Sequence, residues 1–134
     1  MFDSFAIRNS IAVRSVGIVL ALSFQIGCRP VGAPMSDASQ AKTLMQKTME
    51  QWRSGGSLAE LRKQSPPVYV TEDLWRNGAV LNEYSISEES ERLGSNIRLR
   101  VNLRCTNKSG KAIEKSFRYI VTTQPALTIV REEG

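Results

Sequence analysis

From Asn96 to Thr106 the chain alternates strictly: Ile97, Leu99, Val101, Leu103 and Cys105 are apolar, and Arg98, Arg100, Asn102 and Arg104 between them are polar. A period of two with one dry and one wet face predicts a half-buried β-strand. The next stretch, about Lys111 to Thr123, carries Ile113, Phe117, Tyr119 and Val121 on one face, with Lys115 interrupting. Parity sets the turn between them. A loop made of Lys108, Ser109 and Gly110 pairs Val101 with Phe117, Leu99 with Tyr119 and Cys105 with Ile113, and puts Gly110 where a bulged hairpin turn needs a left-handed residue. A loop one residue longer would mix the faces. The same register sets Arg104 opposite Glu114 on the wet face. Val80 to Ser87 predicts another strand, Glu88 to Ser95 a polar connection, and Leu127 to Arg131 a last short strand.

Upstream the period is helical. Ala41, Leu44, Met45, Thr48, Met49 and Trp52 follow the i, i+3, i+4, i+7 spacing of one buried stripe, which predicts a helix from about Ala38 to Arg53. Ser36 or Asp37 caps its start and Gly55-Gly56 ends it. Ser57-Leu58-Ala59-Glu60 reads as a capping box opening a second short helix to about Gln64, which Pro66-Pro67 stops. Val68-Tyr69-Val70 then predicts a short strand, at an edge because of the prolines before it. Thr71 is placed to cap one more turn of helix, with Glu72 and Asp73 at its positive end and Leu74 and Trp75 packing inward. The expected fold class is α+β: one long N-terminal helix packed on a curved antiparallel sheet of about four strands, with short helical turns between.

The first residues carry a different signal. Arg8 and Arg14 precede an apolar run from Val16 to Ile26, which is well short of the roughly 20 residues a membrane-crossing helix needs. Charge followed by a short apolar run reads as an export signal. Gly27-Cys28 at its end resembles the lipobox of bacterial lipoproteins, and that resemblance implies a diacylated Cys28 as the first residue of the mature chain. The chain then divides into an export signal, residues 1–28, a Pro- and Gly-containing tether, residues 29–35, and a single domain, residues 36–134. Gln25 stands where the lipobox favours Leu, so other routes stay open: cleavage near Ala33, which would release a soluble secreted protein, or retention of the segment as a short anchor or buried helix.

Composition narrows the chemistry. With 134 residues, 41% of them apolar, the chain builds one domain with a modest core. It contains no His, which excludes Ser-His-Asp, Cys-His and zinc-deaminase sites. The carboxylates fall at helix starts, on polar faces and in loops, and Glu88, Glu89 and Glu91 lack the spacing of a calcium loop. No catalytic residue, cofactor or metal is therefore expected. Cys105, on an apolar strand face, reads as a small buried hydrophobe.

Two groups of side chains remain as candidates. The first is a stripe formed by Arg98, Arg100, Arg104 and Arg118 on the wet face of the sheet. Its functional reading is contact with anionic lipid headgroups, a polyanion or an acidic protein; its plain reading is a solvated face that resists aggregation. No aromatic side chains interleave with these arginines, so a nucleic-acid partner is not expected. The second is a pocket beneath Trp52, Trp75 and Tyr119, set against the plainer reading that both tryptophans plug the helix layer against the sheet.

The order of a helix, small helical turns and a strand meander resembles the cystatin-like and nuclear-transport-factor-two-like architecture. Trp52, Ser65-Pro66-Pro67, Trp75-Arg76-Asn77-Gly78 and the closing Gln124 to Arg131 also resemble a family of small exported bacterial domains. The resemblance implies a fold and carries over no catalytic residue. The leading expectation is a membrane-anchored exported lipoprotein facing the periplasm or the cell exterior, a non-catalytic binding or structural module that meets an envelope protein. The alternatives are a small-ligand or enzymatic pocket of the nuclear-transport-factor-two-like type, and an anionic-surface binder working through the Arg stripe.

Overall fold

A computed structural model describes residues 34–133. Cys28, the export signal, the Ala33 cleavage site and most of the tether lie outside the described residues. In chain order the elements are α1 (Ala38–Arg53), α2 (Leu58–Arg62), β1 (Val68–Thr71), α3 (Asp73–Arg76), β2 (Val80–Leu93), β3 (Asn96–Thr106), β4 (Ala112–Thr122) and β5 (Leu127–Arg131). The class is α+β. No helix among the described residues is long and apolar enough to cross a membrane.

The strands form one sheet in the order β1-β5-β4-β3-β2. β1 runs parallel to β5, whereas the β5-β4, β4-β3 and β3-β2 pairs are antiparallel. The expected sheet of about four antiparallel strands is thus corrected to five strands of mixed direction. The reason is a long-range one: β5 leaves the meander and inserts between β4 and the much earlier β1, and nothing in either short segment marks the other as its neighbour. β1 does stand at an edge, as the prolines before it require.

The β3-β4 hairpin has the register that parity dictates: Val101 faces Phe117, Leu99 faces Tyr119, Cys105 faces Ile113 and Arg104 faces Glu114. Its turn is closed by the Asn107 side chain, whose Oδ1 accepts from the backbone N–H of Ser109 and Lys111 at 3.1 and 2.8 Å. Gly110 takes φ +85°, the left-handed conformation that favours glycine.

Two local expectations are corrected, and a third is narrowed to one of its two residues. Glu88 to Ser95 is not a connection, because β2 continues to Leu93 and only Gly94-Ser95 turns the chain. The polar composition is explained by position: β2 is an edge strand, and shifts in register between Leu81 and Glu83 and between Ile86 and Ser90 accommodate it. The cap of α3 is Glu72, not Thr71. At α1 it is Asp37 whose side chain accepts from the Gln40 N–H, while the buried Ser36 is used elsewhere.

Ser36 fixes the place where the chain joins the domain. Its Oγ accepts from Thr123 N–H at 2.8 Å, its own N–H reaches the Ser95 carbonyl at 2.8 Å, and its carbonyl accepts from Arg92 at 2.9 Å. The Asp37 N–H adds a bond to Thr123 Oγ1. These contacts clamp the chain to the sheet end formed by the β2-β3 turn and Thr123, the first residue after β4. α1 then lays Ala41, Met45, Met49 and Trp52 against the apolar sheet face, where Leu99, Val101 and Cys105 are wholly buried.

Candidate functional site

The least expected feature of the core is a carboxylate. Glu72 is 1% exposed, and a buried charge persists only when paired and hydrogen-bonded. Three donors meet it: Arg131 at 2.7 Å, the backbone N–H of Leu74 at 2.9 Å, and the Tyr119 hydroxyl. Arg131 also lies 3.5 Å from Asp73 and stacks over Phe117, its guanidinium carbon 4.5 Å from the ring centre. The arrangement follows from the strands: Tyr119 and Arg131 face each other across β4 and β5, and α3 brings Glu72 down onto both. Burial, then the Glu72 charge, pushes the Tyr119 phenol far above its ordinary range.

Neither Glu72 nor Arg131 is among the residues singled out from the sequence. The available signal was Tyr119 itself, since a tyrosine on an inner sheet face needs a hydrogen-bond partner for its hydroxyl. Of the three residues named for a pocket, Trp52 and Trp75 stack on each other with ring centres 5.2 Å apart and planes 4° apart. Their ring N–H groups donate to the Ala79 and Gly56 carbonyls at 2.9 and 3.1 Å. Tyr119 is buried separately with Glu72. All three belong to one packed core, and the surface clefts described below are lined by other residues.

The arginine stripe does lie on the sheet face away from α1, and Arg100 and Arg118 stand opposite each other on β3 and β4. Three of the four arginines have glutamate partners. Arg98 bridges Glu91 at 3.1 Å and Glu132 at 2.6 Å, Arg104 lies between Glu83 and Glu114, and Arg118 meets Glu132 at 3.4 Å. The hydrogen bonds that Arg98 donates to Glu132 first, and then to Glu91, raise its pKa. Arg100 has no ion pair among the described residues. Sequence parity exposes the Arg104–Glu114 pair, but Glu83 and Glu91 reach their arginines only through the shifted register of β2.

Cys105 is fully buried, and burial followed by the Glu72 charge pushes its thiol from 9.0 up to about 11. Such a thiol is a poor nucleophile at neutral pH. It has a consequence for stability. A folded pKa above the unfolded one means that the native state holds its proton longer, so stability present below the unfolded pKa is lost as pH rises toward the folded value. Chemical denaturation between pH 9 and 11 should therefore show declining stability, and Cys105→Ala should flatten that decline. An unchanged slope in the variant would assign the loss to groups other than Cys105.

Two clefts flank the first half of β4. One, on the helix side, measures about 460 Å³ and is lined by Leu74, Ile113 and Phe117 with Lys111 and Lys115 at its rim. The other measures about 530 Å³, shares Lys115, Phe117 and Arg131 with the first, and is otherwise lined by Arg100, Ser116, Arg118, Glu132 and Glu133. Neither is enclosed, and no group of acidic or cysteine side chains among the described residues is arranged to hold a metal ion. Comparison with family models, with curated proteins and with solved structures finds no match for this chain.

Proposed function

We propose that the chain is an exported lipoprotein, held to a membrane by acyl chains on Cys28, whose α+β domain is a non-catalytic binding module of the cell envelope. The observation that carries this reading is Gly27-Cys28 closing a short apolar run behind Arg8 and Arg14. Several acyl chains hold a protein firmly where one does not.

The domain's geometry supports the reading. The groups best suited to chemistry have structural partners: Glu72 holds Arg131, Tyr119 and the start of α3, and the Cys105 thiol is sealed in the core. The Ser36 clamp ties the tether to one end of the sheet, at Ser95 and Thr123. At about 3.4 Å per residue along β4, the Lys111 end lies roughly 40 Å from that attachment. A domain oriented this way presents the Asn107–Lys111 turn and the first half of β4 away from the membrane.

The test is metabolic labelling with a fatty-acid analogue. Wild type should take up label and partition with membranes, and Cys28→Ser should lose both. Absence of label on wild type, or its persistence in the variant, overturns the anchor.

A further inference from the structure

The end of the sheet at which the chain enters the domain is closed by uncharged segments. β2 ends there at Leu93, β3 begins at Asn96, β4 ends at Thr122, and β5 and β1 begin at Leu127 and Val68. Gly94-Ser95, Thr123 to Ala126 and, leading into β1, Gln64 to Pro67 hold no ionisable side chain. At the far end of the long strands, by contrast, the Asn107 to Lys111 turn holds Lys108 and Lys111. β5 carries the chain away from the uncharged end, since the bond from Glu132 N–H to the Arg118 carbonyl, 2.8 Å, lies further down β4.

The same bias continues onto the sheet face away from α1. Residues paired across neighbouring strands share a face, and the outermost row there runs through Leu93, Asn96, Thr122, Thr128 and Tyr69. Charge begins only in the row behind, with the Glu91–Arg98 pair. Among the described residues Met35, Leu93 and Tyr69 are 55%, 38% and 50% exposed at this end. The charges that border the uncharged segments along the chain are mainly basic. Arg62, Lys63 and Arg92 form no ion pair among the described residues, whereas Glu91 is held by Arg98 and Asp37 caps α1.

We infer that this end of the sheet, with Met35, Leu93, Ala126 and Tyr69 foremost, is a membrane-contact surface that seats the domain on the headgroup layer of the bilayer holding its anchor. The inference rests on the anchoring proposed above. From Cys28 to Ser36 the extended chain spans at most about 28 Å, and Ser36 is fixed to Ser95 and Thr123 at this same end. A short tether presents a neighbouring surface at an effective concentration in the millimolar range. The bilayer is therefore the first occupant this surface meets, ahead of any protein that must arrive from solution. The chemistry matches a lipid interface. Met35 and Leu93 have apolar area to bury, Tyr69 has a ring for the acyl boundary and a hydroxyl for the wet side, and the bordering basic residues are drawn to anionic headgroups. The turns limit the depth, because their exposed N–H and C=O groups stay hydrogen-bonded among hydrated headgroups but not in the hydrocarbon core.

The experiment reconstitutes the full-length chain in vesicles of phosphatidylcholine and phosphatidylglycerol that contain a lipid with a photoactivatable diazirine at headgroup depth. Cross-linked peptides are then mapped by mass spectrometry. Those carrying Met35, Leu93 and Tyr69 should take up at least about tenfold more label than the Asn107–Lys111 turn. Leu93→Glu combined with Ala126→Glu puts carboxylates into the contact at exposed positions. It should cut labelling at Tyr69 by at least about tenfold, while flotation of the protein with the vesicles stays unchanged. Labelling spread evenly over both ends, which a domain tumbling on its tether would give, overturns the proposal. So does labelling confined to the outward side of α1, or a pattern indifferent to the double variant. The pattern is read on every chain that floats with the vesicles, so absence of fatty-acid label on Cys28 and absence of the contact are told apart; a chain that does not float overturns the contact as well.

Discussion

Replacing Glu72 with Ala should lower stability by about 3–5 kcal/mol, because it leaves the fully buried Tyr119 hydroxyl without its acceptor and strips the part-buried Arg131 guanidinium of its nearest carboxylate. For a domain near 100 residues, each kcal/mol moves the melting temperature by about 4–8 °C, so the shift should be at least about 12 °C. Glu72 also accepts from the Leu74 N–H at 2.9 Å, so the variant uncaps α3 in the same stroke. Arg131→Met should be nearly as damaging, since it leaves an uncompensated carboxylate that is 1% exposed. The informative variant is the pair. Buried ion pairs replaced by apolar side chains of similar volume are often neutral, so Glu72→Leu with Arg131→Met should lose much less than the sum of the single changes. Additive losses in denaturant titration would show that the two side chains do not act as a unit.

Glu72 also marks the boundary of what the sequence made legible. The alternation from Ile97 to Cys105 and the facing residues on β4 are local regularities, and parity across a short turn converts them into the observed register without further information. The capping box at Ser57 and Glu60 is local too, and both of its bonds are present. By contrast Glu72 reads locally as a residue of a helix's first turn. Its burial is decided by Tyr119 and Arg131, which lie 47 and 59 positions away. Those distances are closed only once β5 inserts beside β1, and no period or turn residue announces a parallel pairing between two such short strands. The arginine stripe divides in the same way. Its residues share a face because strand side chains alternate, which a reader of the sequence can count. Its charge balance depends on Glu83, Glu91 and Glu132, and the first two arrive through irregularities in β2 that composition disguises as a loop. That β5 pairs with β4 only over Tyr119–Thr122 is invisible at sequence level for a related reason: no property of Ala112 to Phe117 announces it.

Trp52→Ala should be the other severe change, with a loss of about 3–5 kcal/mol, because it removes the largest side chain at the junction of four elements. Trp52 lies in the last turn of α1 and is 2% exposed, Trp75 belongs to α3, Ala79 leads into β2, and Gly56 precedes α2. The two indoles stack flat on each other, and each donates to a carbonyl of a different connecting segment. Gly56 contributes by lacking a side chain: a Cβ there would lie 2.9 Å from the Gln51 carbonyl oxygen, so only glycine allows the chain to turn tightly under Trp75. Trp52→Phe separates the parts. It keeps an aromatic ring for the stack but leaves the Ala79 carbonyl unpaired, and should cost about 1–3 kcal/mol, the penalty of one buried unsatisfied group. Equal losses for Phe and Ala would assign the effect to the hydrogen bond rather than to packing, and a loss below about 1 kcal/mol for Ala would mean that the core closes over the vacancy. Because Trp75 would keep its bond to Gly56 in both variants, hydrogen exchange should show α1's last turn and the start of β2 loosening before α3 does.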